Sequence, residues 1–218
     1  MHAPKYLRKI VLLWLAGFPL FLNAQHDRFI GGALFSLNGI GLLGETGPFW
    51  DSPKTKEGAG HGGISAGLFV KREFTQKIYA AFELRYSSKG SIYQYQNQYG
   101  SQQFESLYLD YLELPLLFGY KMKTEKRTYF LETGVAFARL MASKVEFNEE
   151  FYRTGTPTTS GFKKSDFIWI GSVKFSPVKK WKEHFLMGVS VSTSIIPINE
   201  YYKIYNLEYG LEFNYAFY

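Results

Sequence analysis

Large apolar side chains recur at every second position along most of the chain, and polar or small residues fill the places between. The C-terminal stretch is the clearest case. Tyr205, Leu207, Tyr209, Leu211, Phe213, Tyr215 and Phe217 interleave with Asn206, Glu208, Gly210, Glu212, Asn214 and Ala216. A period of two sends successive side chains to opposite faces of a strand, so one face here is aromatic and the other polar. The same rhythm predicts strands at Ile64–Val70, Ile78–Tyr86, Leu112–Tyr120, Tyr129–Phe137, Phe167–Phe175 and Phe185–Ile195, and Arg28–Asn38 supplies an eighth with less distinct faces. A soluble sandwich rarely keeps seven large residues on one strand face. In a transmembrane barrel that face meets lipid and the polar face lines the interior.

The connections carry a second pattern. Long polar segments, Gly39–Gly62, Ser88–Ser106 and Ser143–Asp166, alternate with short ones near Thr75, Thr124–Lys126 and Val178–Lys182; Pro197–Lys203 is a short exception among the long class. Outer-membrane barrels keep short turns in the periplasm and longer loops outside. The expected fold is therefore all-β: a transmembrane eight-stranded antiparallel up-and-down β-barrel, with both ends periplasmic. Its aromatics at outward strand ends, Tyr86, Tyr108, Tyr120, Tyr129, Trp169, Phe185 and Phe217 among them, are expected to form the two interface girdles.

The first 24 residues break the rhythm. Lys5, Arg8 and Lys9 stand without an acid before the apolar run Ile10–Leu22, and Ala24 follows. That is the layout of a secretory signal peptide, cleaved after Ala24, with the barrel domain at 25–218. About 13 apolar residues are too few for a membrane-spanning helix. The whole-chain net charge of +6 falls to +3 once the three leader cations are set aside, and no basic and aromatic recognition element appears, so a nucleic-acid partner is not expected. The absence of cysteine excludes disulfides, thiolate metal sites and thiol catalysis. With 17 Tyr, 20 Phe and 4 Trp, the chain is far too aromatic for a disordered one.

The positive charge gathers at one end. The three short turns hold ten basic residues against three acids, and Lys121, Lys123, Lys126, Arg127, Lys179, Lys180 and Lys182 form the core of a basic periplasmic rim. Such a rim suits anionic headgroups or an acidic periplasmic partner. The inward phase instead selects Lys71, Glu83, Arg85, Glu113, Glu132, Lys174, Glu208 and Glu212. In eight strands the interior is just wide enough for side chains to fill it, so these charges are expected to neutralise one another as a structural network. Strand heights predict cross-strand pairs of Arg85 with Glu113 and of Glu132 with Lys174, with Glu208 in the upper layer and Glu212 in the lower.

The run YLELPLLFGYK at Tyr111–Lys121, YSSKG at Tyr86–Gly90 and the aromatic alternation to Phe217 resemble the small outer-membrane barrels of Bacteroidetes often called the PorT-like family. The resemblance spans the chain after the leader. It implies an outer-membrane location and, for the founding member of the family, a role in a protein-secretion system.

Candidate chemistry is sparse. Gly58-Ala59-Gly60-His61-Gly62-Gly63 fits the dinucleotide fingerprint, but an alternating strand follows it where a helix is required. His26, His61 and His184 lie far apart along the chain, so no metal site is expected. His61, Ser65 and Asp51 supply the residue types of a lipid A-modifying outer-rim site, without a supporting motif. The long loops carry Tyr93, Tyr95, Tyr99 and Phe104, then Glu146, Glu149, Glu150, Phe151, Tyr152, Arg153 and Lys163; aromatics set among polar residues suit recognition. The function expected is non-enzymatic and cofactor-free. It is that of a monomeric structural or accessory barrel held in outer-membrane lipid, which binds envelope or secretion-system proteins by its loops or periplasmic rim. The alternatives are a narrow channel or uptake component and, third, the lipid-modifying enzyme.

Overall fold

A computed structural model describes residues 28–44, 57–96, 102–125, 127–147, 161–177 and 184–217. The strands are β1 (Arg28–Gly44), β2 (Glu57–Ala59), β3 (His61–Glu73), β4 (Ile78–Gln96), β5 (Gln102–Lys123), β6 (Thr128–Phe147), β7 (Ser165–Phe175), β8 (Phe185–Ser194) and β9 (Ile204–Phe217). The short β2 and β3, separated by Gly60, both pair with β4 and make up one wall strand. Every long strand is antiparallel to its neighbours. β1 also pairs with β9, from Gly31 opposite Phe217 to Gly44 opposite Ile204, and β4 with β5, so eight staves close into a barrel.

Closure removes both sheet edges and leaves every strand with one lipid face and one lumen face. On β4, Ile78, Phe82, Leu84 and Tyr86 are exposed while Tyr79, Ala81, Glu83, Arg85 and Ser87 are buried. β5 follows suit, with Leu112, Leu114, Phe118 and Tyr120 outside and Tyr111, Glu113, Leu117 and Lys121 inside. An exposed apolar band on a barrel is a lipid-facing surface and costs nothing in its proper solvent.

The walls differ greatly in height. β4, β5 and β6 have 19, 22 and 20 residues, whereas β7 and β8 have 11 and 10. Roughly ten residues cross the hydrocarbon at barrel tilt, so about half of β4–β6 stands above it on the side of the long connections. Much of the expected loop Ser88–Ser106 is therefore strand: Ser88 to Gln96 pairs residue by residue with Gln102 to Asp110. β1 likewise continues to Gly44, and β6 to Phe147. The reason is physical. Above the membrane the outer face meets water instead of lipid, so the hydrophobic alternation fades although Lys89, Ser91, Leu107 and Leu109 stay buried on the inner face, and backbone pairing continues without its sequence signal.

Two local devices shape this raised wall. Asp110 pairs with Ala142 but Tyr111 pairs with Leu140, so Met141 is an extra residue, a bulge that increases local twist where the strands leave the apolar band. Gly90 sits opposite Tyr108 with φ at +136°, and a Cβ there would lie 1.9 Å from the Leu107 carbonyl oxygen. Only glycine fits that conformation and that approach.

Candidate functional site

The lumen is packed with charge in three layers. At the periplasmic mouth Lys121 Nζ lies 2.6 Å and Lys71 Nζ 3.5 Å from Glu73 Oε1, and both ammonium groups lie over the Phe130 ring at 5.7 and 5.4 Å. Above them Arg85 contacts Glu83 at 2.6 Å and Glu212 at 3.9 Å, while Lys174 bridges Glu132 and Glu212, each at 2.6 Å. Glu132 also accepts hydrogen bonds from Tyr79 Oη (2.8 Å) and Ser172 Oγ (2.9 Å). Tyr79 gains that reach because Gly119 on the next strand lies flat beneath its ring: a Cβ there would come within 2.1 Å of it.

The outer layer is built around Lys89, 2.8 Å from Glu113 and 3.3 Å from Glu208. Glu208 also accepts from Ser65 Oγ (3.2 Å) and more distantly from Ser87 and Ser192, and Asn38 donates to Ser65 at 2.8 Å. Next to this group Asp166 Oδ2 accepts from Ser194 Oγ (2.7 Å) and Asn206 Nδ2 (3.2 Å), and Asn206 Nδ2 lies 3.4 Å from Tyr111 Oη. An apolar lid covers this end. Ile198 and Ile204 are buried with Leu107, Leu109 and Ile168, with Phe162 and Tyr202 packed against them. The connection Ile195–Lys203 therefore turns inward. Lys163 N donates to Ile198 O, and Glu200 N to Gly161 O, at 2.8 Å each.

Below the middle layer lies a cavity of about 20 Å³, lined in part by Lys71, Tyr79, Glu83, Glu132 and Asn214. That is room for one water molecule.

The residues chosen from inward phase, Glu83, Arg85, Glu113, Glu132, Lys174, Glu208 and Glu212, are all buried in this lumen. Glu132 and Lys174 meet. Arg85 and Glu113 share a register position but do not pair: the guanidinium turns down to Glu83 and Glu212, and Glu113 turns up to Lys89. The outer partner, Lys89, lay inside a segment read as loop, which hid its inward phase. Asp166 was hidden in the same way at the end of another. Lys121 is a correction to the basic rim. Its odd-numbered phase on β5 carries it into the lumen, where it is buried against Glu73, while Lys123 and Arg127 remain exposed and Arg127 lies 5.2 Å from the Phe175 ring centroid. Lys126, Lys179, Lys180 and Lys182 lie outside the described residues, as do the leader and His26.

The glycine fingerprint runs from β2 into β3, in strand, with no helix to receive a phosphate. Ser65 is engaged with Asn38, Ser87 and Glu208, and His61 stacks edge-on with Tyr108 at 5.3 Å; Asp51 lies outside the described residues. Among the described residues no cluster of three or more His, Asp or Glu has the arrangement of a metal site.

No curated protein matches the chain in sequence. Among solved structures it is similar to Neisserial surface protein A (NspA), with 9% identity over 88% of this chain and 100% of that one and a TM-score of 0.48. It is also similar to OprG from Pseudomonas aeruginosa, with 13% identity over 88% and 96% and a TM-score of 0.47, and to Ail, the attachment invasion locus protein of Yersinia pestis, with 10% identity over 86% and 98% and a TM-score of 0.43. The family described as outer membrane protein beta-barrel domain matches residues 33–200. The chain belongs to that family, and this closed barrel is a protein of the outer membrane.

Proposed function

We propose that this protein is a non-enzymatic accessory barrel which holds a raised extracellular sheet above the membrane and binds a partner there. The observation that carries the reading is the contrast between a filled, lidded lumen and strands of up to 22 residues on one side only. A channel needs a continuous wet path, and interlocked ion pairs under an apolar lid oppose one. A wall twice the height needed for spanning has no use in insertion. The resemblance to PorT-like barrels supports the finer reading, an accessory of a protein-secretion machine. In the same reading the leader is removed after Ala24, the barrel is monomeric, and exposed Lys123 and Arg127 with the neighbouring turn lysines face anionic headgroups or an acidic periplasmic partner.

The test is a variant in which residues 92–106 are replaced by a two-residue turn, joining β4 to β5 just above the membrane. It is expected to insert and to remain folded in gels run without heating, but to lose the protein neighbours that cross-link to the native barrel in intact cells. Retention of the same cross-linked neighbours overturns the reading. So does a large, steady single-channel current from the native protein, which favours the channel instead.

A further inference from the structure

We infer that the outer layer of the lumen is a monovalent-cation site formed by Asp166, Asn206, Ser194 and Tyr111 at the root of the inward-turned lid. Charge is spread unevenly over the three layers. Among the described residues, the mouth sets Lys71 and Lys121 against Glu73, the middle sets Arg85 and Lys174 against Glu83, Glu132 and Glu212, and the outer layer sets Lys89 alone against Glu113, Glu208 and Asp166. The deficit of positive charge thus concentrates at the outer end, and a buried carboxylate without a counter-charge is strongly disfavoured.

Hydrogen bonding locates the deficit. Lys89 Nζ lies against Glu113 and Glu208 and its charge also reaches Asp166, but one ammonium does not balance three carboxylates. Both side-chain donors to Asp166, Ser194 Oγ and Asn206 Nδ2, go to its Oδ2, and the Phe167 backbone N–H also bonds the carboxylate. Asp166 Oδ1 and Asn206 Oδ1 are left as buried acceptors that no side-chain donor reaches, on residues each 1% exposed and hydrogen-bonded to one another. Two buried orphan acceptors of one kind, side by side, call for something positive or for donors.

The oxygen types say what kind of ligand. One carboxylate, one carboxamide and two hydroxyls form an all-oxygen set of low charge. Such hard oxygens suit an alkali cation, whereas a divalent ion calls for several carboxylates, and among the described residues no such cluster is present. A neutral water satisfies the acceptors but leaves the charge, and an anion has the wrong sign. Sodium or potassium meets both requirements.

The position gives the site a consequence. Asn206 N donates to Ser194 Oγ at 3.0 Å, and Ile198 N to Ile204 O at 2.8 Å, so two of the four ligating residues, Ser194 and Asn206, are also the two feet of the lid. A cation between them and Asp166 fastens the lid to β7.

The test uses the full barrel in lipid vesicles with N-methylglucamine as the sole cation, then NaCl or KCl added at constant ionic strength, with amide hydrogen exchange of Ile198 and Asn206 as the readout. Exchange is expected to slow saturably, about tenfold when the alkali cation stands at ten times its dissociation constant. Asp166→Asn is expected to abolish the dependence, and Asn206→Asp, which makes a neutral ligand anionic, to move half-saturation to lower concentration. Should either variant fail to fold, the response of the native barrel still decides. Exchange that ignores the identity of the cation overturns the inference, as does protection that follows pH instead, for the outer acids are then neutralised by protons.

Discussion

The barrel contains the same two side chains, Lys and Glu, paired in two very different regions. In the lumen, Lys174 and Glu132 meet at 2.6 Å with 1% and 6% of their side chains exposed. On the raised wall, Lys144 and Glu146 pair with 69% and 48% exposed. A contact list treats them alike, but the surroundings do not. Inside, each charge has left water and depends on its partners. Outside, water and salt already solvate both, and the pair adds little. The interior pair therefore acts as a structural element of the membrane barrel, and the exterior pair as part of a solvated surface that is free to serve recognition.

The largest effect should come from Lys174→Met. It removes the one ammonium that bridges Glu132 and Glu212 and leaves two buried carboxylates short of a counter-charge, a loss of about 3–5 kcal/mol by analogy with other broken buried pairs. The urea midpoint for unfolding from vesicles, followed by tryptophan fluorescence, should fall accordingly, and adding Glu132→Gln should restore part of it. A midpoint unchanged by Lys174→Met would mean that water reaches the middle layer and that the lumen is not closed.

Next is Gly90→Ala, at the foot of the raised wall. It forces a side chain into φ +136° and against the Leu107 carbonyl, which should cost about 1–3 kcal/mol as backbone strain. Because the strain falls at the junction of the two regions, exchange of the amides paired across β4 and β5 above Gly90 should quicken while those below stay protected. Equal loss of protection above and below would show that the raised wall and the membrane barrel unfold as one unit. Tyr79→Phe should have an effect of similar size, read from the same urea midpoint. It deletes one of three groups that satisfy Glu132 and leaves Lys174 and Ser172 in place, for a loss of about 1.5–3 kcal/mol on the scale of a hydrogen bond to a charged group.

The same contrast explains what could be read in the sequence. Inside the membrane the solvent differs between the two strand faces, so alternation at Ile78–Tyr86 or Leu112–Tyr120 is steep and places Glu83, Arg85 and Glu113 inside with no further information. Height and pairing are another matter. Arg85 and Glu113 share a register position, but a long guanidinium reaches the carboxylates Glu83 and Glu212 just as readily, and the choice depends on packing in three dimensions. Above the membrane the outer face no longer meets lipid and the alternation weakens, so the strand continuations at Ser88–Gln96 and Gln102–Ser106 read as loop, and the inward phase of Lys89 is hidden with them. Lys121 differs from its expected place on the rim for a related reason. Near a turn, sequence distance suggests exposure, but parity decides the face, and parity points it inward.

The smallest effect belongs to the exposed pair, and it separates titration from stability. Glu146 accepts a hydrogen bond from Lys144 and holds its ammonium above the ordinary lysine value of 10.5. For a cation with a raised folded value, any stabilisation is complete below the unfolded value and disappears as pH climbs through the folded one. In Glu146→Gln the Lys144 titration, followed by NMR of its side-chain nitrogen, should fall back toward 10.5, while the urea midpoint at neutral pH stays where it was. Both parts are needed. A titration that moves without a change in midpoint shows that the pair is formed and contributes nothing to holding the barrel together, as its exposure requires. A midpoint that falls along with the titration would mean that the raised wall transmits its local electrostatics into the membrane barrel, and the two regions would have to be treated as one.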